Sequence, residues 1–300
     1  MVKVFSPGSI GNVGPGFDVL GLAVAELGDT VSMEWGENET RVNITGRDAD
    51  LIPTDPSENT VTLAAQAYLA REGFRRALDV HIERALPSSG GLGASAASSV
   101  AGAMAAAALL GKEDDHQGVV EAALTAETHV AGRHLDNIAP SVYGGLTLVQ
   151  SVDPIRIHQV AVGCQPTLLL VTPNIKIKTK DSRSVLPEKL IQSDWVRQMA
   201  NTCTLVNGFS RGDFDMIKHG LEDGYGERYR SPLIPGFDEA KDVCMELGAL
   251  GFSISGAGPT CFAFFERRDD AEKAKEPLHH VFGDCTVFIG SIAAEGAKVL

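Results

Sequence analysis

The sequence predicts an α+β protein with two layered halves. Segments that alternate like β-strands are interleaved with helical segments, but without the regular strand–helix repeat of a parallel α/β sheet. Glycine-rich turns occur at residues 87–97 and 255–260, in different halves of the chain. The chain has 300 residues, 44% of them hydrophobic, and at this length it can bury about three quarters of its extended surface. We therefore expect a large core and two glycine turns that face each other.

The first half is predicted to hold both strands and helices. Helix 58–73 has Asn59 or Ser57 as its possible cap and Gly73 as its stop. Helix 94–110 has very high helix propensity and almost no polar face, so we expect it to be the buried central helix. The predicted elements are the strands 2–5, 19–24, 30–35, 41–45, 78–82 and 146–149 and the helices 58–73, 94–110 and 113–131.

The second half begins after Asp153-Pro154, where the pattern changes to a fully apolar strand. We therefore divide the chain into two domains, residues 1–155 and residues 156–300. The second glycine turn lies between two strands of the second domain. The predicted elements there are the strands 167–171, 251–255, 261–265 and 285–289 and the helices 188–208, 213–220, 238–247 and 269–281.

The composition argues against several classes of protein. The formal net charge is −13 and no basic run is present, which disfavours nucleic acid or an anionic membrane as the main partner. The five cysteines are odd in number and include no Cys-x-x-Cys pair, which indicates reduced thiols. Outside the alanine-rich helix we find no uncharged apolar run of about 18 residues, and we find no export signal. We expect a soluble, cytoplasmic protein.

Residues 86–97 join a glycine-rich loop directly to the start of the alanine-rich helix. The glycines allow a sharp turn close to a ligand, and the helix offers unpaired N–H groups and the positive end of its dipole, so we expect phosphate there. A P-loop is excluded because no lysine occurs between Lys3 and Lys112. The dinucleotide fingerprint is matched formally, but residues 87–90 separate it from the strand. The alternative without a ligand is an alanine-rich core helix that follows a flexible loop.

Two further segments are rich in polar groups. Residues 6–18 contain four glycines and two prolines between strands, which favours a binding loop with Asn12 and Asp18 as its polar heads. The alternative is that both side chains only close turns. Residues 132–145 crowd five polar or charged groups into a helix-to-strand connection, which again favours a site.

The glycine loop has the pattern Pro-x-x-x-Gly-Leu-Gly-Ala-Ser-Ala-Ala. It resembles the central motif of the kinases named after galactose, homoserine, mevalonate and phosphomevalonate (GHMP kinases), with Ala94 where the first serine usually stands. Residues 14–18 and 256–260 resemble the other two motifs of that superfamily, in the same order. The resemblance covers the whole chain and implies a two-domain GHMP-kinase-like fold, with an N-terminal mixed sheet with helices and a C-terminal α/β sandwich. It implies that residues 1–155 bind the nucleotide and that residues 156–300 complete the substrate site.

Within the superfamily the chain is most similar to the homoserine kinase family. The matching segments are residues 12–18, 134–140 and 179–183, and Arg230 ahead of residues 233–237. The family has Glu-Pro before this arginine whereas Glu227-Arg228 occurs here, so Arg228 competes for its role. The resemblance implies transfer of the γ-phosphoryl group of ATP to the side-chain hydroxyl of L-homoserine, in threonine synthesis, by a homodimer. The alternatives are a sugar or mevalonate kinase, or a nucleotide sensor without turnover.

The resemblance places ATP and Mg²⁺ at the glycine loop and the helix that follows. A hydroxyl and a carboxylate are suitable ligands for Mg²⁺, so Ser95 and Glu127 are expected to hold it, with Glu121 as the rival carboxylate. Ala94 removes one hydroxyl near the phosphates but keeps its backbone donor. The predicted nucleotide-binding residues are Pro87, Ser88, Ser89, Gly90, Gly91, Leu92, Gly93, Ala94, Ser95, Ala96 and Ala97.

An amino-acid substrate needs protein groups of both charges. Arg183 and Arg230 suit its carboxylate, because a guanidinium can bind a carboxylate with two parallel hydrogen bonds. Asp18 and Asn12 suit its ammonium group, with His134 nearby. Opposite charges in one pocket are therefore expected.

Catalysis is expected to depend on positioning. Asn137 would hold the substrate hydroxyl. Relatives in the superfamily that use a catalytic aspartate and a lysine have them where this chain has Asn137 and Ser9, so no general base is evident. The catalytic residues that the resemblance implies are Ser95, Glu127, Asn137 and Thr179.

Overall fold

The computed structural model describes residues 1–130, 132–177 and 179–300, and the side chain of Thr179 lies outside this description. Its strands form two β-sheets, one of seven strands and one of four, and helices pack on both sheets. This is the α+β arrangement that the sequence predicts. In the described part of the chain, no helix is both long enough and apolar enough to cross a membrane.

The seven-stranded sheet is mixed. Its strands are β1 (Val2–Gly11), β2 (Leu20–Trp35), β3 (Arg41–Gly46), β4 (Leu78–Arg84), β5 (Leu146–Val152), β6 (Ile155–Val160) and β11 (Lys298–Val299). Its main path has the order β11-β1-β2-β4-β3, and β5 pairs with β2 and β6 beside that path. β3 and β4 pair in parallel and the other pairs are antiparallel.

The alanine-rich helix is the central helix of the first half, as expected. The helices of this half are α1 (Thr60–Arg71), α2 (Ala94–Leu109), α3 (His116–Val130) and α4 (Ile138–Tyr143); α2 and α4 contact the seven-stranded sheet, and α1 and α3 pack against α2. Asn59 caps α1, and α2 is buried along almost its whole length. Gly102 of α2 faces α1 so closely that a Cβ there would lie 2.2 Å from the Val61 carbonyl oxygen. The small side chains of α2 therefore allow α1 to pack closely against it, which restricts the movement of α2.

The four-stranded sheet is antiparallel. Its strands are β7 (Thr167–Pro173), β8 (Ala249–Ile254), β9 (Cys261–Phe265) and β10 (Cys285–Gly290), in the order β10-β7-β9-β8. The helices of this half are α5 (Thr179–Ser184), α6 (Gln192–Arg211), α7 (Phe214–Gly220), α8 (Gly226–Arg230), α9 (Phe237–Glu246), α10 (Arg268–Lys273) and α11 (Lys275–Phe282). Phe262 and Phe264 of β9 belong to a core that also contains Ile10 and Ala97, so one core joins the two halves.

The predicted loop at residues 6–18 is shorter than expected. Residues 6–11 continue β1 and pair with β2, and the pairing register shifts between Pro7 and Ser9. The glycines that indicated a loop serve another purpose: a Cβ at Gly11 would lie 2.4 Å from Asp136 Oδ2. The strand needs glycine because side chains of the site approach its backbone.

Other boundaries also differ from the prediction. The predicted strands 19–24 and 30–35 are one strand, β2. The predicted helix 269–281 is two helices, and Pro277 lies in the first turn of the second, where a missing N–H is tolerated. The sequence did not predict β6, β11, α4, α5 or α8, which are short elements without a clear period.

The division of the chain after residue 155 stays a prediction. It falls inside β6, after Ile155, and β6 pairs with β5, while β11 at the end of the chain pairs with β1. Residues on both sides of the division therefore contribute to the seven-stranded sheet.

Candidate active site

A cavity of about 730 Å³ lies beside the two glycine turns, a size typical of small-molecule sites. The turns contact each other, as predicted: Thr260 N–H donates to the Gly90 carbonyl oxygen at 3.1 Å, and Ser255 Oγ donates to that of Gly91 at 2.6 Å. The predicted site residues that line the cavity are Asn12, Asp18, Ser89, Gly90, Gly91, Gly93, Ala94, Ser95, Ala96, Glu127, His134, Asn137, Arg183 and Arg230. A smaller cavity of about 260 Å³ on the seven-stranded sheet contains none of them.

The glycine loop enters α2 through residues with positive φ. These are Ser89 at 56°, Gly91 at 83° and Gly93 at 60°, and Gly93 is the cap of α2. A Cβ at Gly91 would lie 2.6 Å from the Ser255 carbonyl oxygen, so only glycine fits between the turns. Residues 94–96, the first turn of α2, line the cavity. The unpaired N–H groups and the positive dipole end at the start of a helix are suited to an anion such as phosphate, as the sequence predicts for this loop.

Part of the predicted nucleotide set lies behind the loop. The residues that do not line the cavity are Pro87, Ser88, Leu92 and Ala97. Leu92 and Ala97 are buried in the core that joins the two halves, and Ser88 N–H donates to Asp48 Oδ2 at 2.8 Å. The core contacts of Leu92 and Ala97 and the hydrogen bond of Ser88 attach the loop to the rest of the protein on the side away from the cavity. These residues therefore support the loop without lining the cavity. The predicted role of the Thr179 side chain lies outside the described residues.

Ser95 and Glu127 meet beside the glycine loop. The Ser95 hydroxyl donates to Glu127 Oε1, and Ser99 Oγ donates to the same oxygen at 3.0 Å. Burial raises the pKa of the Glu127 carboxyl, although both hydrogen bonds oppose this shift. The side chain of the rival Glu121 is 43% exposed and accepts a hydrogen bond from Arg71. A hydroxyl beside a poorly solvated carboxylate suits a hard divalent cation, so Glu127 fits the predicted metal site better than Glu121.

Asp18 pairs with one of the two predicted arginines. Arg183 Nη2 donates to both carboxylate oxygens of Asp18, at 3.0 and 3.2 Å. His134 Nδ1 lies 3.7 Å from Asp18 Oδ1, and burial lowers the pKa of this histidine. Asn12 Oδ1 accepts the Asp18 N–H at 2.8 Å. The structure thus brings the acidic, amide and basic groups that the sequence predicts for an ammonium and a carboxylate into one cluster.

Arg230 is a buried cation that lines the cavity. Its residue is 4% exposed, and its guanidinium donates to the carbonyl oxygens of Ser182 at 3.1 Å and Gly256 at 2.8 Å. In the described part of the chain, no carboxylate lies within 4.0 Å of it. Burial lowers its pKa. Arg228 instead has a side chain 63% exposed and lies near Asp194, outside the cavity, so Arg230 fits the predicted role.

Asn137 lies between the end of β1 and the start of α2. Ser9 Oγ donates to Asn137 Oδ1 at 3.0 Å. A Cβ at Gly93 would lie 2.8 Å from Asn137 Oδ1, and a Cβ at Gly11 would lie 2.5 Å from Asn137 Nδ2. The amide therefore lies between Gly93, at the start of α2, and Gly11, at the end of β1 just before the loop that carries Asp18.

Asp136 lines the cavity and was not predicted as a site residue. It is 3% exposed, and burial together with the negative charge of Asp18 raises its pKa to about 7. The backbone of Asp136 also packs closely against β2: a Cβ at Gly21 would lie 1.8 Å from the Asp136 carbonyl oxygen, so position 21 requires glycine. The polar segment 132–145 indicated a site, but only packing shows that this carboxyl is desolvated.

Comparison with known proteins identifies the family. The model described as the N-terminal domain of GHMP kinases matches residues 59–145, and the model described as GHMP kinases C terminal matches residues 205–284. The chain is 34% identical to a homoserine kinase of Pyrococcus abyssi over 99% of the chain and 98% of that protein. The chain belongs to the homoserine kinase family of the GHMP kinases. A homoserine kinase of Pyrococcus furiosus is 35% identical over 99% of both chains.

Solved structures agree with this assignment. The crystal structure of homoserine kinase from Cytophaga hutchinsonii has a TM-score of 0.93 and 35% identity, and covers 100% of this chain and 97% of its own. A mevalonate kinase of L. major has a TM-score of 0.76 at 17% identity, which shows a shared fold alone. The family and fold class that the sequence predicts are confirmed, and the residue roles stay predictions.

We expect Asp136→Asn to make stability less dependent on pH. The carboxyl has a pKa of about 7 in the folded protein against an ordinary value of 3.8. The folded state therefore binds this proton more tightly, and the wild-type protein loses stability as the pH rises from about 4 to about 7. The asparagine side chain of the Asp136→Asn variant does not titrate, so the variant should not lose this stability as the pH rises. Urea unfolding of both proteins from pH 5 to pH 8 measures it, and a stability difference that is constant over this range would contradict the prediction.

Proposed function

We propose that the protein transfers the γ-phosphoryl group of ATP to the side-chain hydroxyl of L-homoserine, giving O-phospho-L-homoserine for threonine synthesis. The observation that carries the proposal is the composition of one cavity. It combines a phosphate cradle at the start of α2 with Arg230, a buried cation without a carboxylate partner among the described residues, and with Asp18. A phosphorylated nucleotide and a zwitterionic amino acid need such a combination. A sugar is uncharged, so it would form no ion pair with Arg230 or Asp18.

The chain contributes mainly by holding the two substrates. The backbone donors of the glycine loop and of residues 94–96 bind the phosphates, and they need not reorganise during the reaction. Asn137 orients the hydroxyl at the junction of the two subsites. A loose transition state lets the hydroxyl lose its proton late, to a phosphate oxygen, so the reaction does not require a general base.

Ser95 and Glu127 would hold Mg²⁺ at the phosphates. When bound, Mg²⁺ supplies positive charge that offsets the charge developing on the transferred group. Ser99 fixes the Glu127 carboxylate through its hydroxyl, at 3.0 Å. The homodimer that the resemblance implies and the cytoplasmic location that the composition indicates are part of this proposal, and sedimentation of the purified protein tests the first.

A coupled ADP-release assay with homoserine, mevalonate and galactose tests the function. We expect turnover with homoserine far above the rate without an acceptor. Homoserine turnover at background would contradict the proposal, and turnover with mevalonate or galactose would favour the corresponding alternative. Nucleotide binding without turnover of any acceptor would indicate a sensor.

We expect Arg230→Ala to raise the KM for homoserine by about a hundredfold, because the loss of one partner of a buried charged pair costs about 2–5 kcal/mol. Arg230→Lys keeps the charge but not the planar fork, so its effect should be intermediate. Arg228→Ala is the matched control and should keep the wild-type KM. Equal effects of Arg228→Ala and Arg230→Ala would remove Arg230 from the substrate site.

We expect Glu127→Gln to lower kcat on the order of a hundredfold and to raise the Mg²⁺ concentration needed for half-maximal rate, since the variant loses an anionic ligand for the Mg²⁺ that offsets the developing negative charge. Glu121→Gln is the matched control on the same helix. Initial rates across a Mg²⁺ titration measure both effects. A normal Mg²⁺ dependence in Glu127→Gln would place the metal elsewhere.

Asp18→Asn should raise the KM for homoserine about ten- to hundredfold, because a hydrogen bond to a charged group is worth about 1.5–3 kcal/mol and is present in ground state and transition state alike. The KM for 4-hydroxybutanoate, which lacks the ammonium group, should change much less. If Asp18→Asn instead keeps KM and loses about a hundredfold in kcat, Asp18 is a general base.

A further inference from the structure

A buried ion pair lies behind the glycine loop, outside the cavity. Asp29 of β2 is fully buried, and Arg84 at the end of β4 is 7% exposed. Arg84 Nη1 lies 3.0 Å from Asp29 Oδ2. Ser98 of α2 bridges the pair, because its hydroxyl accepts from Arg84 Nη1 at 2.7 Å and donates to Asp29 Oδ2 at 3.2 Å. Three elements, β2, β4 and α2, thus meet in one charged cluster.

The same cluster fixes the chain where it enters the loop. Asp29 Oδ1 accepts the N–H groups of Ala85 at 2.9 Å and Leu86 at 3.1 Å, and Arg84 Nη2 donates to the Leu86 carbonyl oxygen at 3.4 Å. These residues directly precede the glycine loop, residues 87–93. The cluster therefore binds the last residues before the loop.

The cluster also fixes the chain where it leaves the loop. Ser98 lies one helical turn after Ala94, the first residue of α2. Its two hydrogen bonds tie that turn to Arg84 and Asp29. Both ends of the loop are thus held by one carboxylate, one guanidinium and one hydroxyl.

Stability alone gives no strong reason for such a cluster. Burying an ion pair costs solvation energy, and apolar residues of similar volume are often as good or better. The loop gives a stronger reason, since Ser89 has a φ of 56°, and a residue other than glycine keeps such a conformation only where its surroundings hold it. Backbone donors that bind phosphate must also be fixed in advance.

We propose that Asp29, Arg84 and Ser98 are positioning residues that hold the glycine loop in its phosphate-binding conformation. None of them lines the cavity, so they act through the loop backbone. The proposal rests on the proposed function to the extent that the loop binds the nucleotide phosphates.

Ser98→Ala tests the proposal with the smallest change, because it removes the bridging hydroxyl and keeps the ion pair. We expect it to raise the KM for ATP and lower kcat, together by about tenfold, since misplacing a reacting group by 1 Å can cost about a hundredfold. The KM for homoserine should not change. Direct titration with a fluorescent ATP analogue should show the same loss of affinity and does not depend on homoserine.

Thr62→Ala is the matched control. Thr62 is a fully buried residue of α1 whose hydroxyl donates to the carbonyl oxygens of Pro56 at 2.7 Å and Asn59 at 2.9 Å, away from the cavity. It should lower Tm about as much as Ser98→Ala and leave both KM values unchanged. The comparison separates a positioning role from a loss of stability.

Arg84→Lys is the second variant, and it keeps the charge while losing the fork that reaches Asp29, Ser98 and Leu86 together. It should lower the affinity for the fluorescent ATP analogue at least as much as Ser98→Ala does. If both variants bind the analogue like wild type while Tm falls as in Thr62→Ala, the cluster is only structural and the proposal is wrong. A wild-type protein that does not bind the analogue also overturns it, whereas binding without homoserine turnover contradicts only the proposed function.

Discussion

The first turn of α2 has to stay fixed, and much of the structure follows from this constraint. Its N–H groups can bind phosphate only if the helix does not shift when a ligand arrives. Close packing supplies the rigidity, because Gly102 brings α1 against the helix and Ala97 lies in the core that joins the two sheets. The alanine-rich composition of α2 is therefore a packing requirement as much as a preference for helix.

The electrostatics of the cavity oppose those of the whole chain. The protein has a formal net charge of −13, yet its proposed ligands carry phosphates and a carboxylate. Under the proposed function, local groups would offset the overall field: the dipole and N–H groups of α2 at one subsite, and Arg230 at the other, which two carbonyl oxygens hold in place. Asp18 would keep the second subsite from being uniformly positive, so that the cavity would distinguish a zwitterion from a simple anion.

Adjacent residues of the polar segment have different surroundings. Asn137 lies between the start of α2 and the end of β1, while Asp136 is buried beside it with a pKa raised to about 7. Both side chains approach Gly11, which explains why the strand carries glycine there. The site thus depends on close approach to backbone from several elements, and three of the residues that line it, Asn12, Asp18 and Ser89, have positive φ.

The sequence by itself determined the family, the fold class and most residues of the cavity, because glycine spacing, helix caps and local polar clusters are properties of short segments. Only the tertiary structure shows that Glu127 lines the cavity while Glu121, six residues earlier on α3, points to solvent. It likewise shows that Arg230 lines the cavity and that Arg228 does not. Asp29, Arg84 and Ser98 are far apart in sequence and became one cluster only through strand pairing and helix packing, which no local pattern records.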